Sequence, residues 1–250
     1  QELSDTDWEA IRQFQTTDLV LGTSEIEKDI DEIRIILNKL TNDTILFVND
    51  EIINKLDSIM SRDINKEDLE NVGGVIYDIV SSNKFYSNIF VDVYEKIINK
   101  YSELNQVMKA ICETKLEIFD KIEVEDADKD YNKFCEANKI NDLRKANAMF
   151  IVNLMKRNII TQELLMSIIL KLQNNLAETI KEKNMKPKAE EISELLFIII
   201  TNSSEILDEH DNWDEIHTNI KQVSNMETKD YESLSNKVVF KHMDILDELV

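Results

Sequence analysis

The chain is poor in the residues that interrupt helices, with three glycines and one proline among its 250 residues. Strand-rich folds need turn residues about every ten positions, and those residues are missing here. Hydrophobic residues nevertheless make up 42% of the chain, which is enough to bury a core. The sequence therefore predicts an all-α protein.

The sequence also lacks the residues from which most catalytic and metal sites are built. Its two cysteines, Cys112 and Cys135, lie in helical patterns and predict buried, reduced thiols of a cytoplasmic protein. The three histidines are not spaced to place two on one helix face with a carboxylate between them. No glycine-rich phosphate loop is present. We therefore expect no enzymatic activity, no cofactor and no metal.

Acidic residues dominate the charge, which is formally −21 at pH 7. Such a chain repels nucleic acid over most of its surface, so we expect RNA binding to be weak or absent and a protein partner to be basic. The longest apolar run, Leu195–Ile200, is far shorter than the roughly 20 residues that cross a bilayer. We expect no membrane association.

One basic stretch interrupts this acidic chain between residues 181 and 188, where an exposed loop is predicted. Its four lysines are the candidate RNA contacts: Lys181, Lys183, Lys186 and Lys188. The alternative interpretation is a solvated loop between two helical repeats.

Hydrophobic residues at spacings of three and four predict roughly ten helices of two to four turns. Ser24 and Glu27 predict a capping box at the first of them, because each can satisfy an unpaired amide of the other. Further helix N-caps are expected at Asn65, Thr161, Asp211 and Asp230. Separate helical patterns run through Phe134 and from Leu143 to Asn158.

Short loops between such helices predict antiparallel helix pairs stacked in order, an α solenoid or bundle. Residues 1–23 do not share the regular pattern. They are predicted to form an N-terminal arm, which could act as a docking segment, and residues 24–250 the helical domain.

Four blocks of sequence support a more specific assignment. They are Ile35–Thr41, which ends in ILNKLT, then Arg144–Met155, Ser193–Leu207 and Ser235–Leu249. Together, and in this order, they resemble the MIF4G domain, the middle domain of the translation initiation factor 4G family. The resemblance covers residues 24–250 and implies a HEAT-repeat solenoid, a crescent of about five antiparallel helix pairs.

The resemblance implies a scaffold in translation initiation that binds and stimulates a DEAD-box RNA helicase of the initiation factor 4A type. Leu37, Leu40 and Ile45 match the leucine, leucine and phenylalanine of the family's first-repeat contact. Core packing is the alternative role for the two leucines. Contacts with a cap-binding protein or a poly(A)-binding protein would lie in sequence outside this chain.

The resemblance also implies a helicase contact near the end of the chain. Asn236 and Lys237 stand where the family's closing helix has Ser-Arg, which keeps one positive charge without the planar guanidinium. Trp8 is matched to a tryptophan in the arm before the first repeat. Its alternative role is to cover the open end of the solenoid.

Two other functions remain open from the sequence. The first is a translational regulator with the same fold, resembling the poly(A)-binding-protein-interacting factors. The second is an RNA-binding module that uses the lysines of residues 181–188.

Overall fold

The computed structural model describes residues 24–125 and 128–249, and all of the regular structure in these two ranges is helical. This confirms the all-α prediction and the expected number of helices. The ten α-helices within these ranges are α1 (Glu25–Leu37), α2 (Ile45–Met60), α3 (Lys66–Ser81), α4 (Ser87–Lys100), α5 (Ser102–Lys115), α6 (Tyr131–Lys156), α7 (Gln162–Thr179), α8 (Lys186–Leu207), α9 (Trp213–Ser224) and α10 (Asn236–Glu248). Short 3₁₀ turns lie at Leu116–Phe119 and Thr228–Asp230.

The chain divides into two compact units, one up to Ile76 and the other from Tyr77 onwards, so the division falls within α3. In the first unit α1 packs against α2. Their buried apolar side chains follow the spacing of one helix face, as the sequence predicts. These side chains are Ile30, Ile33, Ile36 and Leu37 on α1 and Val48, Ile52, Leu56 and Ile59 on α2.

A network of charged side chains also joins α1 to α2. The Lys55 ammonium lies 2.6 Å from Asp29 Oδ1 and 2.5 Å from Glu32 Oε2, and Arg62 donates to Asp29 as well. Burial alone would raise the pKa of Asp29, but the hydrogen bonds from Arg62 and Lys55 outweigh it and lower the pKa. Asp29 therefore stays charged at neutral pH and holds the two helices together.

The core of the second unit is built around α6 and α8, which pack against each other. Helix α6 also contacts α4 and α7, and α8 also contacts α7 and α10. The apolar run predicted as a core helix lies in α8, where Leu195, Leu196, Ile199 and Ile200 are fully buried. Buried side chains between Phe119 and Ile245 form one core cluster.

Three aromatic rings form a compact group inside this unit. Phe150 packs edge-to-face on Tyr77 and Tyr94, with ring centroids 5.7 and 5.6 Å apart. The Tyr77 hydroxyl lies 3.8 Å from Cys112 Sγ, and burial raises the pKa of both tyrosines. Cys112 is buried as predicted, whereas Cys135 is only partly buried.

The sequence was misleading about α6, which is one helix of 26 residues instead of two separate patterns. The buried face of α6 joins the two predicted patterns. Polar side chains occupy two positions on this face, Asn141 and Arg144. The Arg144 guanidinium donates to the carbonyl oxygens of Ile118 and Lys121, each at 2.7 Å. Because its donors are satisfied, an arginine can occupy a position that the apolar pattern reserves for a hydrophobic residue.

The predicted N-caps are partly correct. Ser24 forms the complete capping box with Glu27, and the side chains of Asn65 and Thr161 accept the expected backbone amides. The expected caps at Asp211 and Asp230 are wrong. Helix α9 begins after Asn212 without a side-chain cap, and Ser235 caps α10.

The aromatic group provides a test of the fold. Because Phe150 is fully buried, the Phe150→Ala variant leaves a cavity and is expected to lose about 3–5 kcal/mol of unfolding free energy. Urea unfolding followed by circular dichroism measures this loss. The matched Phe85→Ala variant, whose side chain is 84% exposed, is expected to change stability by less than about 0.5 kcal/mol. Equal effects of the two variants would contradict the packing described here.

Candidate functional site

The turn between α1 and α2 carries the sequence block that ends in ILNKLT, and two threonines fix its shape. The Thr44 hydroxyl donates to the Lys39 carbonyl at 2.6 Å and accepts the Thr41 amide at 2.8 Å. The two threonine hydroxyls also lie 3.0 Å apart. These bonds hold the backbone that leads into α2, so the side chains beside the turn have fixed directions.

The structure gives the three matched residues of this block different environments. Leu37, at the end of α1, is 0% exposed and Leu40, in the turn, is 4% exposed. Their burial agrees with the core-packing alternative. Ile45, the first residue of α2, is partly exposed, whereas both leucines are buried.

The exposed apolar surface beside this turn belongs to the next two residues of α2. Leu46 is 76% exposed and Phe47 is 57% exposed. The Lys39 ammonium lies 6.0 Å from the centroid of the Phe47 ring and 3.3 Å from Glu51 Oε2. We call Leu46 and Phe47 the apolar pair of α2. Large exposed side chains of this kind mark interaction surfaces when they are adjacent.

A signal for this pair was present in the sequence. The buried apolar stripe of α2 runs through Val48, Ile52 and Leu56, so residues 46 and 47 fall on the opposite side of the helix. Two large apolar residues off the stripe predict an exposed apolar patch.

The second predicted helicase contact lies at the start of α10, in the second unit. Asn236 and Lys237 are both exposed. The Lys237 ammonium lies 3.2 Å from Glu190 Oε2 on α8, and Ser235, the cap of α10, donates to the other oxygen of Glu190 at 2.8 Å. Trp8 falls outside the described residues.

The candidate RNA-contacting lysines do not all lie in a loop. Lys186 and Lys188 belong to the first turn of α8, so only Lys181 and Lys183 remain in the connection before it. Lys188 is partly buried, and the other three are exposed. One neighbouring carboxylate partly balances the charge of these lysines, since the Lys183 ammonium lies 4.0 Å from Glu232.

A buried serine holds this connection in place. Ser233 is fully buried, accepts the Met185 amide at 2.8 Å and donates to the Glu182 carbonyl at 2.6 Å. Its own amide donates to the Ile180 carbonyl at 2.9 Å. The lysines therefore project from a braced backbone.

Within residues 24–125 and 128–249, no group of three histidine, cysteine or acidic side chains is arranged to hold a metal ion. None of the helices in this part of the chain combines the length and the apolar character that crossing a membrane requires.

Neither the models of known protein families nor the curated proteins contain a match to this chain.

The brace at Ser233 can be tested directly. In the Ser233→Ala variant the Met185 amide loses its acceptor, and its hydrogen exchange is expected to become about tenfold faster. Amide exchange followed by NMR measures this. The control is Ser167→Ala, whose hydroxyl bonds only a carbonyl of its own helix and should leave Met185 unchanged. Unchanged exchange at Met185 in Ser233→Ala would contradict the brace.

His242, on the buried face of α10, predicts a pH dependence of stability. Its Nδ1–H donates to the Val238 carbonyl at 2.9 Å, and burial lowers its pKa below the ordinary value of about 6.5. The unfolded chain therefore binds a proton at a higher pH than the folded chain does. The contribution of His242 to the free energy of unfolding is therefore fully present above about pH 6.5 and is lost as the pH drops below it.

Urea unfolding between pH 7.5 and 5 measures this loss. The His242→Gln variant is expected to reduce the slope of the unfolding free energy against pH. The control variant His217→Gln should keep it. A slope that is the same in His242→Gln and in the parent protein would contradict this role of His242.

Proposed function

We propose that the chain is a cytoplasmic scaffold of the MIF4G type that binds and stimulates a DEAD-box RNA helicase of the initiation factor 4A type. The four blocks of the resemblance support this proposal because each falls on a defined helix or helix end. The first closes α1 and enters the turn, and the second lies in α6. The third lies in α8, and the fourth covers the cap and body of α10.

We further propose that the helices form a HEAT-type solenoid. In the second unit α6 and α7 each contact the next helix and the helix two positions away, and α8 contacts α10, two positions away. Stacked helix pairs produce such a pattern because each pair buries its faces against its neighbours. The pattern supports the solenoid.

The observation that carries the helicase proposal is the apolar pair of α2. It follows directly after the turn that ends the ILNKLT block, where the family makes its first-repeat contact. Leu46 and Phe47 are open to solvent, whereas the matched leucines are buried. Aromatic residues, phenylalanine among them, are enriched in protein interfaces relative to the rest of the surface. We therefore assign the first contact to this pair, together with the exposed part of Ile45.

The second contact is assigned to Asn236 and Lys237, so each compact unit carries one contact. A scaffold of this kind performs no chemistry itself. It stimulates the helicase by binding one arrangement of the two helicase lobes more tightly than the others, which raises the population of that arrangement.

The proposal is tested by the RNA-dependent ATPase rate of a 4A-type helicase measured with and without this chain. We expect stimulation by the parent protein. Phe47→Asp places a charge in the proposed contact and is expected to weaken helicase binding at least tenfold, with a matching loss of stimulation. Circular dichroism is expected to show intact folding because Phe47 is exposed.

Phe85→Asp is the matched control, since it makes the same change at another exposed phenylalanine. It should leave stimulation within twofold of the parent value. Binding without stimulation would favour the regulator alternative. The absence of helicase binding would contradict the proposal, and RNA binding lost on replacing Lys181 and Lys183 would favour the RNA-binding module.

A further inference from the structure

Two of the three glycines of the chain are adjacent, and they lie inside a helix. Gly73 and Gly74 are in the interior of α3, which runs from Lys66 to Ser81. Glycine weakens a helix interior relative to alanine, because its backbone loses more conformational freedom on folding. Glycine pairs are also among the few sequence features at which helices kink. A pair in this position therefore weakens α3 unless packing or a bend requires it.

Packing does not require the second glycine of the pair. A Cβ atom added at Gly74 would meet no heavy atom within 4 Å, apart from its chain neighbours and the backbone of its own helix. Alanine would therefore fit at this position and would strengthen the helix. The property that distinguishes glycine from alanine at position 74 is the freedom of its backbone.

The C-terminal half of α3 is anchored in the second unit. The Tyr77 ring packs edge-to-face on Tyr94 of α4 and on Phe150 of α6. One turn later, the Ser81 carbonyl accepts a hydrogen bond from Asn147 Nδ2 of α6 at 3.4 Å. These contacts tie the end of α3 to α4 and α6.

The N-terminal half of α3 belongs to the first unit, which ends at Ile76. Leu69, Val72 and Ile76 lie on one face of this half, and all three are buried. The two halves of one helix are thus held in different compact units. The division between the units falls less than one helical turn after Gly74.

We propose that α3 bends at Gly73 and Gly74 and that this bend is a hinge of the chain. Each half of α3 moves with the unit in which it is packed, and the glycine pair absorbs the change in backbone angles. A partner that contacts both units can then change its own arrangement while it stays bound. The hinge itself does not depend on the helicase proposal.

The test measures a distance between the two units of the full chain by double electron–electron resonance. One spin label is attached at Asp50→Cys in α2 and the other at Ala177→Cys in α7, both exposed positions. Cys135 is replaced by serine, and Cys112 is buried and so protected from labelling. The hinge predicts a broad distribution of distances. The Gly74→Ala variant is expected to narrow it about 1.5-fold or more, because alanine stiffens the helix.

Two controls separate a hinge from other effects. A label pair within the second unit, Asn105→Cys with Ala177→Cys, should give a narrow distribution that Gly74→Ala leaves unchanged. Thr218→Ala strengthens the interior of α9 instead of α3 and should leave the distribution between the units as broad as in the parent protein. An equally narrow distribution for both label pairs, or an unchanged width in Gly74→Ala, would overturn the proposal.

Discussion

The arrangement of the second unit depends on the burial of one guanidinium group. Arg144 is almost completely buried, and burial lowers its pKa, so its charge is stabilised only by the groups that surround it. Two carbonyl oxygens and the Asn141 side chain accept its hydrogen bonds. This interaction joins the irregular segment after α5 to the middle of α6.

Much of the fold could be predicted from the sequence because the signals that determine helices lie between residues close together in the chain. The scarcity of glycine and proline and the spacing of residues such as Ile33 and Leu37 determine helices directly. The capping box at Ser24 likewise depends on neighbours three residues apart. The continuity of α6 could not be predicted, because the two carbonyl oxygens that accept from Arg144 lie more than 20 residues earlier in the chain.

The candidate site was less predictable than the fold. A match to a family identifies positions, but the exposure of each side chain depends on which helix face meets the core. Leu37 and Leu40 are on the buried side, and the neighbouring Leu46 and Phe47 are open to solvent. The pattern of α2 contained that information. Pairs such as Lys237 and Glu190, which are brought together by two helices, could not be read from the sequence.

The structure combines packed helices with a few exposed apolar and charged surfaces, and the central proposal is that two of these surfaces bind the two lobes of a helicase. Isothermal titration calorimetry with the intact 4A-type helicase and with each isolated lobe tests this most directly. The account predicts measurable binding of each lobe and at least tenfold tighter binding of the intact helicase, because the second contact forms within the first complex. Binding of the intact helicase no tighter than that of one lobe, or no binding at all, would contradict it.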